Sequence, residues 1–172
     1  LLWQRFRAFG GDVSKGLIIL PCELIEHNGQ RLHECVLRYI DLWREDFADA
    51  ADAFRSWVET ACHFCSTLVD RIVSGSDGLT IKAEPYHLWV IEPPKTLPIE
   101  QFTREFPAKD AGLNVIVTND ESPYHRRKLT LLNAPHTVLS PVAFLAGLDI
   151  VRDACQHEVV GQFIRRLMSE EL

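Results

Sequence analysis

The sequence predicts an α/β fold that turns mainly helical towards its end. Three observations carry that reading. A short apolar run, Gly16 to Cys22, follows a helix-like segment, as a buried strand of a parallel sheet would. Two amphipathic stretches come next, and β-branched and aromatic runs broken by Gly, Pro and Asp follow them. From Pro123 onward the pattern is helical through Leu148.

Taken in order, Leu1 to Phe9 has apolar residues at helical spacing, and Gly10-Gly11-Asp12 ends it. Pro21 closes the strand. Glu23 to Gly29 then forms the loop at its carboxyl end, where open α/β sheets place their ligands. Gln30 to Arg44 presents Leu32, Cys35, Val36, Tyr39, Ile40 and Trp43 as one buried helix face. Ala50 to Ala61 repeats the pattern through Phe54, Trp57 and Val58. Strands are expected at Leu68–Val73, Tyr86–Ile91 and Leu113–Thr118, with an irregular connection from Pro93 to about Ala111. A last helix carries Val159, Val160, Phe163, Ile164, Leu167 and Met168 on one side.

The 172 residues are 47% hydrophobic and 24% charged, enough for a real core. A net charge of −6 argues against a dedicated nucleic-acid surface, and His125-Arg126-Arg127-Lys128 is too short for a polyanion track. No apolar run approaches the roughly 20 residues of a membrane span. Five unevenly spread cysteines fit a reduced, cytoplasmic interior better than a disulfide framework. The chain opens without methionine and closes on a helix with no stop signal. The expectation is a fragment, with further parts of the same polypeptide on either side.

The stretch Lys128-Leu129-Thr130-Leu131-Leu132-Asn133-Ala134-Pro135-His136 holds the densest chemistry. An amine, a carboxamide and an imidazole sit in an otherwise apolar helix. At about 100° per residue, Asn133 lies roughly 140° from Lys128 and His136 roughly 80°. Such a trio is either a satisfied core helix or a carbonyl-reducing site. Asp70-Arg71, inside an apolar run, must be paired or face a ligand. Cys62-His63-Phe64-Cys65 invites a zinc reading, but the second half of the site would have to come from Cys155 and His157, so buried free thiols are the default. No Gly-x-Gly-x-x-Gly or Walker-type loop occurs, so any phosphate-binding turn is expected upstream of Leu1.

Read together, three stretches resemble the polyol-specific long-chain (mannitol) dehydrogenases. Lys128, Asn133 and His136 are similar to that family's K-x4-N-x2-H helix, and Val69-Asp70-Arg71-Ile72 to its Val-Asp-Arg-Ile signature. Pro21-Cys22-Glu23-Leu24-Ile25-Glu26-His27-Asn28-Gly29 is the third. With Glu84-Pro85-Tyr86-His87-Leu88-Trp89, it looks most like the family's tagaturonate reductase branch.

The resemblance implies the end of a Rossmann-type NAD-binding domain over residues 1–62, with added strands. The start of a mainly helical catalytic domain is then expected over 63–172. It implies NAD-dependent interconversion of D-altronate and D-tagaturonate in hexuronate breakdown, without a metal. Lys128 would be the general acid/base, a role that near neutral pH needs burial or neighbouring cations such as Arg126 and Arg127. Asn133 would stabilise charge on the carbonyl oxygen, and His136 would hold a hydroxyl or orient the carbonyl. Asp70, Arg71 and Asn28 are implied for substrate, with Arg71 a candidate cation for its carboxylate. Cys22 and Glu23 are implied for the cofactor.

Three departures stand out. Glu23-Leu24 replaces the Asp-Asn of mannitol-type members, and His125 replaces a glutamate. Ala134-Pro135 replaces Gly-Ala, and Pro135 is expected to kink the helix and crowd the Leu131 carbonyl. The alternatives are a fructuronate reductase or mannitol 2-dehydrogenase of the same family, or a non-catalytic helical module stapled by zinc.

Overall fold

The computed structural model describes residues 1–171. Contacts group the chain into two compact units, Leu1–Glu121 and Ser122–Leu172. The sequence put its division after Cys62 instead. The strand beyond Cys62 hydrogen-bonds back to the first strand, which keeps it within the first unit.

The first unit is α/β. Helix α1 (Leu2–Ala8) ends at Gly10 and Gly11, whose φ values of 60° and 74° suit glycine. Its Trp3 and Phe6 pack, with rings tilted or edge-on, into the aromatic core formed by Phe47, Phe54 and Trp57. Strand β1 (Ile18–Ile19) is shorter than expected. It runs parallel to β2 (His63–Phe64), with α2 (Asn28–Leu42), α3 (Arg44–Phe47) and α4 (Ala51–Ala61) between them. The parallel pairing that the apolar run predicted is therefore present.

Beyond Cys65, β3 (Ser66–Asp70) pairs antiparallel with β6 (Leu88–Glu92), which pairs parallel with β7 (Val115–Val117). A second core of Cys65, Ile91, Leu97, Phe102 and Val115 packs under this sheet. Each large side chain buried there contributes about 1.5–3 kcal/mol. Between β3 and β6, strands β4 (Val73–Asp77) and β5 (Thr80–Ala83) form an exposed hairpin absent from the sequence reading. Helix α5 (Ile99–Glu105) occupies part of the stretch expected to be irregular. Its Phe102 is fully buried, so tertiary packing organises what the prolines around it obscured.

One helix face departs from expectation. In α2, Leu32 and Tyr39 are exposed, as is Trp43 at its C-terminal cap, and Ile40 is the buried apolar residue. The described residues cover its first turn and its Val36–Ile40 side and leave the rest open.

The second unit is helical. Helix α6 (Ser122–Lys128) passes through one π turn, Leu129–Asn133, into α7 (Ala134–Leu145). Helices α8 (Val151–Gln156) and α9 (Glu158–Arg166) follow, and Leu139, Ala143, Ala154, Val160 and Ile164 form its core. His157 starts α9 by accepting the Val160 N–H on Nδ1, which divides the expected last helix from its predecessor.

Candidate functional site

In the first unit the site grows from the loop after β1. Cys22, Asp70 and Arg71 line one cavity of about 240 Å³, together with His87, Trp89 and Asn114. The Asp70-Arg71 pair and Cys22, singled out for different reasons, thus meet in one hollow. Arg71 is fixed through Nε, which donates to the Glu84 carbonyl at 3.1 Å. The Glu84 carboxylate instead accepts the Ile72 N–H at 2.6 Å. The guanidinium ends of Arg71 therefore have no carboxylate partner among the described residues.

The sequence reading gave His87 and Asn114 no site role. The Asn114 N–H donates to His87 Nε2 at 3.1 Å, and the Asn114 amide donates to the His87 carbonyl at 2.8 Å. Accepting at Nε2 puts the proton of the neutral ring on Nδ1, which faces the Pro85 carbonyl at 3.3 Å. The available signal was position, since each residue immediately precedes a strand of the same sheet.

Asn28 is a correction. It is 3% exposed, and its amide donates to the carbonyls of Pro21, Glu23 and Thr67 at 3.2, 3.0 and 2.9 Å. Its Oδ1 accepts the Thr67 N–H at 2.8 Å. With these bonds made, Asn28 clamps both ends of the loop to β3 and does not present itself to a substrate. The Thr67 hydroxyl, which donates to the Pro21 carbonyl, reinforces the clamp. Gly29 completes it, because a Cβ there would stand 2.3 Å from the Cys65 carbonyl oxygen. The loop between is exposed, and Glu23 lies outside the cavity lining.

In the second unit, Lys128 is the last residue of α6, Asn133 ends the π turn, and His136 lies in the first turn of α7. Lys128 and Asn133 are half-buried and His136 is exposed. His136 Nδ1 is 2.7 Å from the Leu132 carbonyl. A carbonyl only accepts, so Nδ1 carries the hydrogen, and Nε2 of the neutral ring is left as an acceptor. The expected disturbance at Pro135 takes the form of the π turn: the Ala134 N–H reaches back five residues to the Leu129 carbonyl.

The zinc alternative finds no geometry. Cys62 enters the aromatic core and Cys65 the core under the sheet, so the thiols face different clusters. Burial pushes the Cys65 thiol up to about 12 and raises Cys62 as well. His63 Nδ1 meets the Thr96 hydroxyl. No group of three metal-ligating side chains occurs among the described residues.

The family model of the mannitol dehydrogenase Rossmann domain matches residues 1–101, and that of the mannitol dehydrogenase C-terminal domain matches residues 120–172. The chain belongs to the mannitol dehydrogenase family. Among its relatives, the altronate oxidoreductase of Bacteroides thetaiotaomicron is 51% identical over 100% of this chain and 37% of that protein. That of Bacillus subtilis is 41% identical over 99% of this chain and 37% of its own length. The chain therefore spans little more than a third of these relatives.

Solved structures share the fold. A substrate-free D-sorbitol dehydrogenase superposes with a TM-score of 0.69 at 23% identity, covering 96% of this chain and 34% of that one. The Pseudomonas fluorescens mannitol 2-dehydrogenase ternary complex with NAD and D-mannitol gives 0.68 at 20% identity, covering 98% and 34%. As a member of the mannitol dehydrogenase family, the chain has a Rossmann-like first unit and a helical second unit, the fold class its sequence predicted. No helix of the described residues is long and apolar enough to cross a membrane.

Proposed function

We propose that the polypeptide carrying this chain is a nicotinamide-dependent oxidoreductase of the cytoplasm that interconverts D-altronate and D-tagaturonate in hexuronate breakdown. The observation that carries the reading is the 51% identity to an altronate oxidoreductase over the whole of this chain, the Lys128-to-His136 stretch included. In this reading the chain is a piece of the enzyme and is inactive alone.

Lys128 gives a proton to the ketone oxygen during reduction and takes it back in the reverse direction. Asn133 donates an amide N–H to the same oxygen as it gains charge. His136, with Nδ1–H held by Leu132, accepts a substrate hydroxyl on Nε2. On the first unit, Asp70 accepts from sugar hydroxyls, and Arg71 offers its guanidinium to the carboxylate. The clamped loop presents Cys22 beside an apolar wall of Leu88, Trp89 and Val115, which fits the ring end of a dinucleotide. A nicotinamide cofactor bound there, with Glu23 at its rim, would supply the hydride.

The test is the full-length polypeptide assayed for NADH consumption with tagaturonate, fructuronate and fructose. Tagaturonate is expected to give the highest initial rate, and equal rates on all three would end the uronate assignment. Lys128→Ala should lower turnover by about 100-fold or more, and an unchanged rate would remove the lysine from the mechanism.

A further inference from the structure

Lys128, Asn133 and His136 lie on a helix that widens for one turn and then returns to α geometry. The width has a consequence for where the three side chains leave the helix. In an unbroken α-helix they would spread over an arc of about 140°. A turn closed by an i→i+5 bond holds one residue more than an α turn. Everything after it is set back by one residue, or about 100°. Asn133 then stands about 40° from Lys128, and His136 about 20° to the other side. The arc shrinks to about 60°, a single stripe.

Pro135 explains why the register stays there. It has no N–H, so it can donate neither to Leu131 in an α register nor to Thr130 in a π register. The wide turn therefore closes at the Ala134–Leu129 bond and cannot migrate along the helix. Pro135 is buried and sits in the first turn of α7, where its fixed φ is compatible with helix. The His136 Nδ1–H bond to the Leu132 carbonyl ties the imidazole across the same turn.

We propose that the π turn is the device that gathers Lys128, Asn133 and His136 onto one stripe, with Pro135 as the positioning residue that holds its register. The inference deepens the oxidoreductase reading and rests on it for its kinetic test, but it also has a structural readout. Deleting the exposed Leu131 removes the extra residue. The helix should become plainly α, with the asparagine four residues after the lysine and the histidine seven after it. Those spacings again give about 40° and 20° to either side. The buried Leu139 and Ala143 of α7 keep their phase as well.

In the full-length polypeptide the deletion variant should therefore keep its melting midpoint, and its turnover should stay within about tenfold of wild type. Inserting an alanine between Leu131 and Leu132 should swing all later groups by about 100° and lower the melting midpoint. It should cost at least about 100-fold in turnover, since a misplacement near 1 Å already costs that much. Pro135→Ala, which restores an N–H and lets the register slip, should lower kcat several-fold with KM little changed.

A deletion variant that unfolds, or folds with turnover at the Lys128→Ala level, overturns the proposal. So does a Pro135→Ala enzyme with wild-type kcat. If wild-type enzyme fails to reduce any of the three ketoses, the functional reading falls, while the melting midpoints of the deletion and insertion variants still decide the geometry.

Discussion

Helices α2 and α4 read almost alike in the sequence, yet the structure treats them differently. Both repeat apolar residues at three-and-four spacing. In α4, Phe54, Trp57 and Val58 are all buried against α1 and the rings around it. On α2, Tyr39 and the capping Trp43 are each 52% exposed, and the face borders a cavity of about 290 Å³ shared with Trp3 and Phe47. Periodicity identifies which face of a helix is apolar. What covers that face is decided by residues elsewhere, and for α4 those residues are α1, α3 and the Val36–Ile40 side of α2.

The largest effect that separates the two helices is a truncation in each. Phe54→Ala should cost about 3–5 kcal/mol of unfolding free energy, because it opens a cavity among Trp3, Phe6, Phe47 and Trp57. Tyr39→Ala should cost less than about 1 kcal/mol. Urea unfolding of the two variants measures both, and similar losses would break the contrast.

The head of α2 is the exception within that helix, and it sharpens the comparison. Asn28→Ala removes an amide bonded to three carbonyls and leaves the buried Thr67 N–H without its acceptor. The Pro21 carbonyl keeps the Thr67 hydroxyl as a donor, so the chief loss is the orphaned Thr67 N–H, about 1–3 kcal/mol. The expected ranking therefore places Asn28→Ala above Tyr39→Ala and below Phe54→Ala in the same unfolding series.

These helices also show how much the sequence could reveal. Helices α1 and α4, strand β7 and the helical run from Pro123 were legible because their patterns are local. Helix α5 was hidden by Pro93, Pro94 and Pro98, although a proline just ahead of Ile99-Glu100 is itself a helix-start signal. The β4–β5 hairpin, exposed on both faces, has no alternation to read; its Asp77-Gly78 turn was the one available cue. Among site residues, Cys22 lines the same cavity as Asp70 and Arg71, a meeting set by the fold and not by any local pattern. Asn28 misled because its partner Thr67 is 39 residues away, beyond any local pattern. At Pro135 the sequence announced a disturbance but not its form, since a missing N–H can be met by a kink or by a wider turn.

Thiol chemistry offers a third contrast. Cys35 lies exposed on α2, whereas Cys62 sits buried at the end of α4 with Cys65 three residues on. Burial raises both buried thiols, Cys65 to about 12, so neither supplies the thiolate that reacts. A disulfide reagent at pH 8 should modify Cys22, Cys35 and Cys155 quickly, and Cys62 and Cys65 only on unfolding. Five fast thiols would mean that the region beyond α4 is open. Stoichiometric zinc in the purified protein would revive the metal-stapled alternative that the two separate cores argue against.

The smallest effect comes from the histidine next to Cys62. Burial pushes the His63 pKa below its ordinary 6.5, with the Glu105 charge opposing. The sign follows from proton counting. As pH falls through 6.5, the unfolded chain takes up a proton that the folded chain resists. Stability is therefore full above that pH and declines below it. His63→Gln keeps a polar group near the Thr96 hydroxyl but cannot titrate. Its unfolding free energy should vary less between pH 7 and pH 5 than that of the wild type. An identical slope in the two proteins would show that the end of α4 is wetter than its packing implies, and would narrow the distance between the two helices.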